Sequence, residues 1–232
     1  MDIERYTLYI ANRNYSSWSL RPWVLMRELG IPFTEKLVPF GAKSNWDAFR
    51  TFSPNGRVPC LHADDVRIWD SLAITEFLAE RHPGVWPAQT RERAWARSAA
   101  AEMHSGLEAL RSQCPMHCGF RIRLHDVPED MQKDLDRIDE LWTEGLERSG
   151  GPFLTGNRFT AVDAFFAPVA FRIQTYCLVL SDNAARYASH LLSLSAMQSW
   201  YADALAEPWR QADHEQEPLN HGILLEDLRT PS

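Results

Sequence analysis

The chain has 232 residues, of which 45% are hydrophobic and 11% aromatic. This length allows one large domain or two small ones, and the apolar content is ample for a core that needs no cross-links. The formal net charge is −7 at pH 7. Because such a surface is not strongly basic, electrostatic binding to a phosphate backbone is not expected. Nucleic acid is therefore not an expected partner.

The sequence also favours a cytoplasmic protein. Its apolar runs stay below the roughly 18 residues that cross a bilayer. The N-terminal stretch MDIERYTLYI lacks the basic and apolar regions of a signal peptide. The four cysteines are few for this length, which suits a reducing compartment. We expect no membrane association and no structural disulfides.

Short β-type and helical patterns alternate from Tyr6 to about Arg81. Their order is β-α-β-α-β-β-α, which predicts a small α/β domain. Gly30 is expected to take the left-handed position after the first helix, and Pro32 prevents the helix from resuming. The next strand is predicted at 34–38.

After the proline-rich stretch HPGVWPAQ the patterns are helical only. Apolar residues recur every three or four positions from Thr90 to Gln113 and again in the following helix, so we expect a helical bundle. Another helix is predicted after Thr160, where Thr160 and Asp163 can form a capping box. The tail from about Glu207 is polar, contains prolines and predicts no element.

Three serines stand at the start of the first predicted helix, in NYSSWSLRPW. Pro22 fits only in a first helical turn, so Ser19 is the predicted N-cap. Trp18 and Trp23 would then pack together as a hydrophobic staple.

Ser16 and Ser17 are not needed for that cap. They are either ordinary turn residues or hydroxyls that hold a thiolate or an oxyanion beside the positive end of the helix.

Two further stretches suit a ligand. In NGRVPCL, Pro59 precedes a predicted strand, and a cis Val58–Pro59 bond would turn the backbone of Val58 toward an extended peptide. The alternative is a trans proline at a strand edge. In IWDSLAITEF, Asp70 or Ser71 caps a helix whose free amides suit a carboxylate, and Asp70 could pair with an ammonium group. The alternative is a cap alone.

These residues resemble the cytosolic glutathione transferase superfamily over nearly the whole chain. SSWSLRPW is similar to the SSCSWR-type motif of the zeta class, and FTAVDAFFAP is similar to the family's helix-capping motif. The VP and DS pairs match in order and at fitting separations, so the set is specific. The resemblance is to bacterial, serine-type members that are zeta- or theta-like, although Trp18 stands where zeta members often carry cysteine.

The resemblance implies a thioredoxin-like, glutathione-binding domain over residues 1–84 and an all-helical domain over residues 90–232 that carries the substrate pocket. It implies that Ser17 or Ser16 contacts the thiol of glutathione, with Ser17 slightly favoured. It also implies that the other parts of glutathione are held by Val58, by a cis Pro59, and by Asp70 and Ser71.

The second substrate is implied to be a small hydrophobic electrophile. Its pocket is expected around Tyr15, Trp18, Met103, His104 and Arg111, although Met103 also fits the core stripe of its helix. The expected activity is conjugation or isomerisation by an activated glutathione thiolate, in a detoxifying homodimer. The alternative is a glutathione-transferase-like protein that binds glutathione or a partner without catalysis.

Two rival functions fit less well. The segment CPMHC contains soft metal ligands, but its C-x3-C spacing needs a further ligand such as His104, so we expect no metal site. A disulfide oxidoreductase of this fold needs a cysteine at the first helix start, where this chain has serines. Cys60 is expected to be packed in the core.

Overall fold

A computed structural model describes residues 6–41 and 44–229. Its N-terminal part has the predicted β-α-β-α-β-β-α order, formed by β1 (Tyr6–Ile10), α1 (Ser17–Glu28), β2 (Thr34–Leu37), α2 (Trp46–Arg50), β3 (Cys60–Ala63), β4 (Val66–Trp69) and α3 (Ser71–Ala79). The strands form one sheet in the order β2-β1-β3-β4. β1 is parallel to β2 and antiparallel to β3, so the sheet is mixed.

The end of α1 confirms the role predicted for Gly30. Gly30 has a φ of 65°, a conformation that glycine adopts without steric cost. Its amide donates to the carbonyl of Arg27, and the amide of Ile31 donates to the carbonyl of Met26. These two bonds satisfy carbonyls at the helix end and fix the turn into β2.

The C-terminal part is mainly helical. It contains α4 (Thr90–Ser105), α5 (Glu108–Gln113), α6 (Glu129–Ser149), α7 (Ala161–Tyr176), α8 (Asp182–Ser193), α9 (Ser195–Ala206) and α10 (Ala212–Leu219). α7 is buried along almost its whole length, which explains its apolar sequence AVDAFFAPVAF. It packs against α1, α4 and α8, so it joins the two parts of the chain in one core.

The capping box predicted for α7 is present. Asp163 accepts a hydrogen bond from the amide of Thr160 at 2.9 Å. The same carboxylate also accepts the amide of Leu154 at 3.1 Å and the hydroxyl of Tyr187 at 2.7 Å. Asp163 is fully buried, and these hydrogen bonds tie α7 to α8 and to the loop before α7.

The prediction that only helices follow the linker is wrong. β5 (Phe120–Leu124) and β6 (Gly222–Asp227) form a two-stranded antiparallel sheet. Phe120 and Ile122 are buried, whereas Arg121 and Arg123 alternate with them, which is the period of a strand. The partner strand lies in the C-terminal tail that the sequence left unassigned.

Among the helices that the structure describes, none is long and apolar enough to span a membrane.

Candidate active site

The structure corrects the predicted start of the first helix. α1 begins at Ser17, and Ser16 rather than Ser19 is its N-cap residue. The amide of Ser16 donates to the carbonyl of Asn12 at 2.9 Å, and the carbonyl of Ser16 accepts the first helical bond from Leu20. A hydrogen-bonded turn before the helix therefore fixes its start earlier than Pro22 alone indicated.

The third serine lies inside the helix. Ser19 is fully buried and accepts hydrogen bonds from the hydroxyl of Ser16 at 2.7 Å and from the amide of Ala11 at 3.3 Å. Ser19 thus fastens α1 to the end of β1. Ser17 is half-buried, and no protein partner of its hydroxyl is seen in the part of the chain described.

The predicted staple between Trp18 and Trp23 is also wrong. Because the helix begins at Ser17, the two indoles point to different places. The Trp23 indole packs edge-on against Trp200, with ring centroids 5.1 Å apart. The Trp18 indole instead packs edge-on against the ring of His104, with centroids 5.3 Å apart.

A cavity of about 590 Å³ opens at the N-terminus of α1. It lies where α1 faces α5, α7 and α10. Its lining includes five residues singled out from the sequence near the thiol or acceptor, together with Val58: Tyr15, Ser16, Ser17, Trp18, Arg111 and Val58. Further lining residues are Phe40, Asn45, Phe49, Gly56, Arg57, Glu108, Ser112, Pro115, Met116, Arg172, His214 and Glu217.

The Val58–Pro59 peptide bond is cis, as the resemblance to the family implied. Val58 lines the cavity, whereas Pro59 is buried beside it. Val58 lies just before β3, and β3 pairs with β1, so the sheet itself places this backbone next to the start of α1.

Asp70 and Ser71 stand at the N-terminus of α3, outside the lining of the main cavity. Asp70 caps the helix by accepting the amides of Leu72 at 2.8 Å and Ala73 at 3.3 Å. Its φ of 76° is unusual for a residue with a side chain. The Ser71 hydroxyl is buried without a hydrogen-bond partner among the described residues. Asp70 borders a second hollow, of about 550 Å³.

The structure separates the residues expected around the second substrate. Met103 is fully buried and lies in the hydrophobic core, so its expected place in the pocket is wrong and its core spacing was the better guide. His104 does not line the cavity. Its Nε2 lies 3.4 Å from Oδ2 of Asp70, and its ring contacts the Trp18 indole edge-on.

Tyr15 lines the cavity, but its hydroxyl is engaged by the C-terminal part of the chain. It donates a hydrogen bond to Glu215 of α10, which also pairs with Arg229 and lies near His117. Burial and this hydrogen bond raise the pKa of the Tyr15 hydroxyl. The Tyr15 hydroxyl already has an acceptor in Glu215, whereas no protein partner of the Ser17 hydroxyl is seen among the described residues, so serine chemistry is favoured over tyrosine chemistry here.

Three arginines, Arg21, Arg111 and Arg172, lie close enough to affect one another electrostatically. Arg111 and Arg172 line the cavity. Arg21 is buried, and its guanidinium lies 4.1 Å from the centre of the Trp18 ring. Burial and the two neighbouring arginines lower the pKa of Arg21 to about 9.

The CPMHC segment belongs to the core. The Cys114 and Cys118 side chains are buried, and burial raises the pKa of the Cys114 thiol to about 12. His117 stacks on Phe120, with ring centroids 3.6 Å apart. Within residues 6–41 and 44–229, no group of three or more His, Cys, Asp or Glu side chains could hold a metal ion. Cys60 is buried in β3, as expected.

Comparison with protein-family models decides the family. Residues 15–81 match the model "Glutathione S-transferase, N-terminal domain", and residues 89–188 match "Glutathione S-transferase, C-terminal domain". The chain belongs to the glutathione S-transferase family. Its thioredoxin-like sheet and helical part are the two halves of the glutathione transferase fold.

Relatives and solved structures agree with this assignment. The chain is 23% identical over 219 residues to a maleylacetoacetate isomerase of Rattus norvegicus, covering 92% of this chain and 97% of the relative. A Burkholderia glutathione transferase homologue, solved with bound glutathione, superposes with a TM-score of 0.64 at 22% identity, covering 87% and 98% of the two chains. A Nu-class enzyme of Haemonchus contortus gives 0.68 at 17% identity, covering 89% and 100%.

Several residues of this glutathione transferase site could not be found from the sequence. Arg172 is the one basic residue of the largely apolar helix α7, and this contrast was the one available signal. His214 belongs to the unassigned tail. It reaches the cavity because α10 folds back over Tyr15 and Phe40, whose rings contact its imidazole.

Proposed function

We propose that this chain binds glutathione at the start of α1 and activates its thiol as a thiolate, for conjugation to a small electrophile or for isomerisation of one. The observation that carries the proposal is the Ser17 hydroxyl. It lines the cavity at the first position of α1, while the neighbouring Ser16 hydroxyl is already committed to Ser19.

The physical basis is stabilisation of negative charge on sulfur. A free thiol has a pKa of about 8.5, so it is mostly protonated at neutral pH. A hydroxyl that donates to the sulfur favours the thiolate, and the positive end of α1 adds to this effect. α1 has no acidic residue in its first turn, so no local carboxylate opposes the thiolate there.

The rest of glutathione fits the neighbouring elements. The Val58 backbone beside the cavity suits the cysteinyl part, next to a buried Pro59. The N-terminus of α3 suits the γ-glutamyl group. The Ser71 hydroxyl, which has no hydrogen-bond partner among the described residues, can donate to its carboxylate, and Asp70 can accept from its ammonium group. Tyr15, Trp18 and Arg111 then border the space left for the electrophile.

Residues 1–84 and 90–232 are the proposed glutathione-binding and substrate-binding domains, although residues 1–5, 42–43 and 230–232 lie outside the described structure.

We also propose a homodimer that acts in detoxification in the cytoplasm. The edge strand β4 exposes Val66 and Trp69, an apolar surface that suits a subunit interface. Light scattering should give twice the chain mass; a single chain mass at micromolar concentration would contradict the dimer.

One experiment tests the proposed activity. Calorimetry measures glutathione binding to the purified protein, and release of chloride from 1-chloro-2,4-dinitrobenzene measures conjugation. Binding with turnover supports the transferase. Binding without turnover of this or other electrophiles favours a non-catalytic glutathione-binding protein, and no binding rejects the proposal.

A further inference from the structure

The turn between β1 and α1, residues 12–16, leads directly into the helix that begins at Ser17. The carbonyl of Asn12 closes this turn by accepting the amides of Tyr15 at 3.2 Å and Ser16 at 2.9 Å. Because Ser17 is the next residue along the chain, the shape of the turn fixes where the Ser17 hydroxyl lies.

One buried carboxylate, that of Glu207, holds the middle of this turn. Glu207 follows α9 and is 4% exposed. Its Oε1 accepts the amide of Arg13 at 2.6 Å. Its Oε2 lies 3.4 Å from the amide of Asn14 and 3.4 Å from the side-chain nitrogen of the same residue. Hydrogen bonds from amides to an ionised carboxylate are among the stronger ones in proteins, so Glu207 is well placed to fix the conformation of the turn.

The side chain of Asn14 attaches the turn to the helical half at two further points. Its Nδ2 donates to the carbonyl of Ala204 at 2.5 Å, and its Oδ1 accepts the amide of Gly119 at 3.1 Å. Its backbone carbonyl accepts the amide of Cys118 at 3.2 Å. The turn that precedes Ser17 is therefore held by the end of α9 and by the segment before β5, both of which belong to the helical half.

Pairing with the guanidinium of Arg13 does not account for the position of Glu207. The Nη1 of Arg13 lies 4.0 Å from Oε1 of Glu207. Arg13 has other carboxylates, since it pairs closely with Glu35 and its Nε lies 3.5 Å from Asp203. Burying a carboxylate is unfavourable unless hydrogen bonds compensate it. For Glu207 the amides of the turn supply that compensation.

We propose that Glu207 is a positioning residue for thiol activation: it binds the backbone of the β1–α1 turn and so holds the Ser17 hydroxyl where it can donate to the sulfur of glutathione. The inference rests on the proposed transferase function and adds to it a residue from the C-terminal tail. Glu207 lies outside the lining of the cavity. It therefore acts through the turn rather than by contact with the substrate.

The sign of the effect on the thiol pKa distinguishes positioning from two other roles of Glu207. A carboxylate that acts by its charge disfavours a second negative charge nearby, so removing it would lower the pKa of the bound thiol. A carboxylate that only stabilises the fold would leave this pKa unchanged on removal. Loss of positioning raises the pKa, because the thiolate loses its hydroxyl donor.

The test measures the apparent pKa of the thiol of bound glutathione from its ultraviolet thiolate band. In Glu207→Ala this pKa should rise by about 0.5 to 1 unit. The rise should not exceed that in Ser17→Ala, because the turn can lose only what the Ser17 hydroxyl supplies. Glu207→Gln has nearly the same volume and keeps one acceptor oxygen, but its amide group faces the donors of Asn14. We expect a smaller rise in Glu207→Gln, which also provides the test if Glu207→Ala does not fold.

A double variant shows whether Glu207 acts through Ser17. In the Ser17→Ala background, Glu207→Ala should raise the thiol pKa no further. Asp139→Ala is the matched control. Its carboxylate accepts the amide of Ser181 at 2.6 Å, so it fixes backbone within the helical half, outside the lining of the cavity. This control should lose stability and keep the thiol pKa of the wild type.

The same measurements separate this inference from the proposed function. If the thiol pKa is low in the wild type and rises in Ser17→Ala but in neither Glu207 variant, the inference is wrong while the transferase stands. A lowered pKa in Glu207→Ala, or a further rise in the double variant, also contradicts positioning through Ser17. If the wild type does not bind glutathione, or binds it without lowering its thiol pKa, the proposed function fails and the inference fails with it.

Discussion

The hydroxyl of Ser16 donates to the hydroxyl oxygen of Ser19 across 2.7 Å. Ser19 in turn accepts the amide of Ala11 at the end of β1, so both serines belong to the junction between the sheet and α1. Ser17, between them in sequence, takes no part in this junction. Two of the three serines at this helix start therefore have structural roles.

Ser16→Ala should therefore act mainly on stability. The substitution removes one buried hydrogen bond and leaves Ser19 with its amide donor, so we expect a loss of about 1 kcal/mol in the free energy of unfolding. Urea denaturation measures this loss. The ultraviolet thiolate band of bound glutathione should persist in the variant, and its disappearance would transfer the thiol-activating role to Ser16.

Tyr15→Phe should leave thiol activation intact. The Tyr15 hydroxyl donates to Glu215 rather than to the ligand, and Glu215 keeps its pair with Arg229 in the variant. We expect kcat within a few-fold of the wild type and a loss of stability of about 1 kcal/mol. If the thiolate band vanished in Tyr15→Phe, the tyrosine would have to be counted among the catalytic residues.

Glu215 should make stability depend on pH. Burial alone would raise the pKa of its carboxyl, but hydrogen bonds from His117, Arg229 and Tyr15 outweigh burial and hold this pKa well below its ordinary value. Because the folded pKa is depressed, the stabilisation is fully present above the unfolded value of about 4.3 and is lost as the pH falls below it.

The matched variant is Glu215→Gln, compared with the wild type. At pH 7 the variant should be less stable by about 1–3 kcal/mol. The difference in the free energy of unfolding between the two proteins should narrow between pH 5 and pH 3.5. In this range the Glu215 carboxyl of the unfolded wild type becomes protonated, which favours unfolding. A gap that stays constant or widens on acidification would show that the carboxylate charge contributes nothing.

Asp163 should be among the most sensitive positions in the helical half. Its buried carboxylate accepts hydrogen bonds from Thr160, Leu154 and Tyr187. Asp163→Ala leaves these donors buried without an acceptor, so we expect a loss of about 3 kcal/mol or more. Asp136→Ala, which removes an exposed carboxylate from α6, should change stability by less than about 0.5 kcal/mol. Equal losses in the two variants would contradict this role of Asp163.

Most of the fold could be predicted from local sequence patterns. The period of apolar residues, Gly30 after α1 and the Thr160–Asp163 pair all act within a few residues of one another, so the sequence was enough to predict the first seven elements and the cap of α7. β5 was missed because its partner β6 lies about a hundred residues away, beyond the reach of a local pattern. Short strands need such partners to be stable.

The candidate site was predictable only in part, for the same reason. Ser17 and Val58 were found because each sits in a recognisable turn or helix start. The Ser19 cap was wrong because a hydrogen-bonded turn between Asn12 and Ser16 starts α1 at Ser17. Ser19 instead accepts the amide of Ala11, a contact that depends on the packing of α1 on β1. Arg172 and His214 reach the cavity only through the packing of α7 and α10, and the spacing of residues along the sequence does not predict this packing.

The most direct test of thiol activation by Ser17 is the thiolate band of glutathione bound to Ser17→Ala, titrated between pH 5 and pH 9 beside the wild type and Ser16→Ala. Glutathione binding, measured by calorimetry in the same samples, should survive in all three proteins. We predict that the apparent pKa of the bound thiol is below that of free glutathione in the wild type and in Ser16→Ala, and rises by about one unit or more in Ser17→Ala. An unchanged thiol pKa in Ser17→Ala, with glutathione bound, would contradict this role of Ser17.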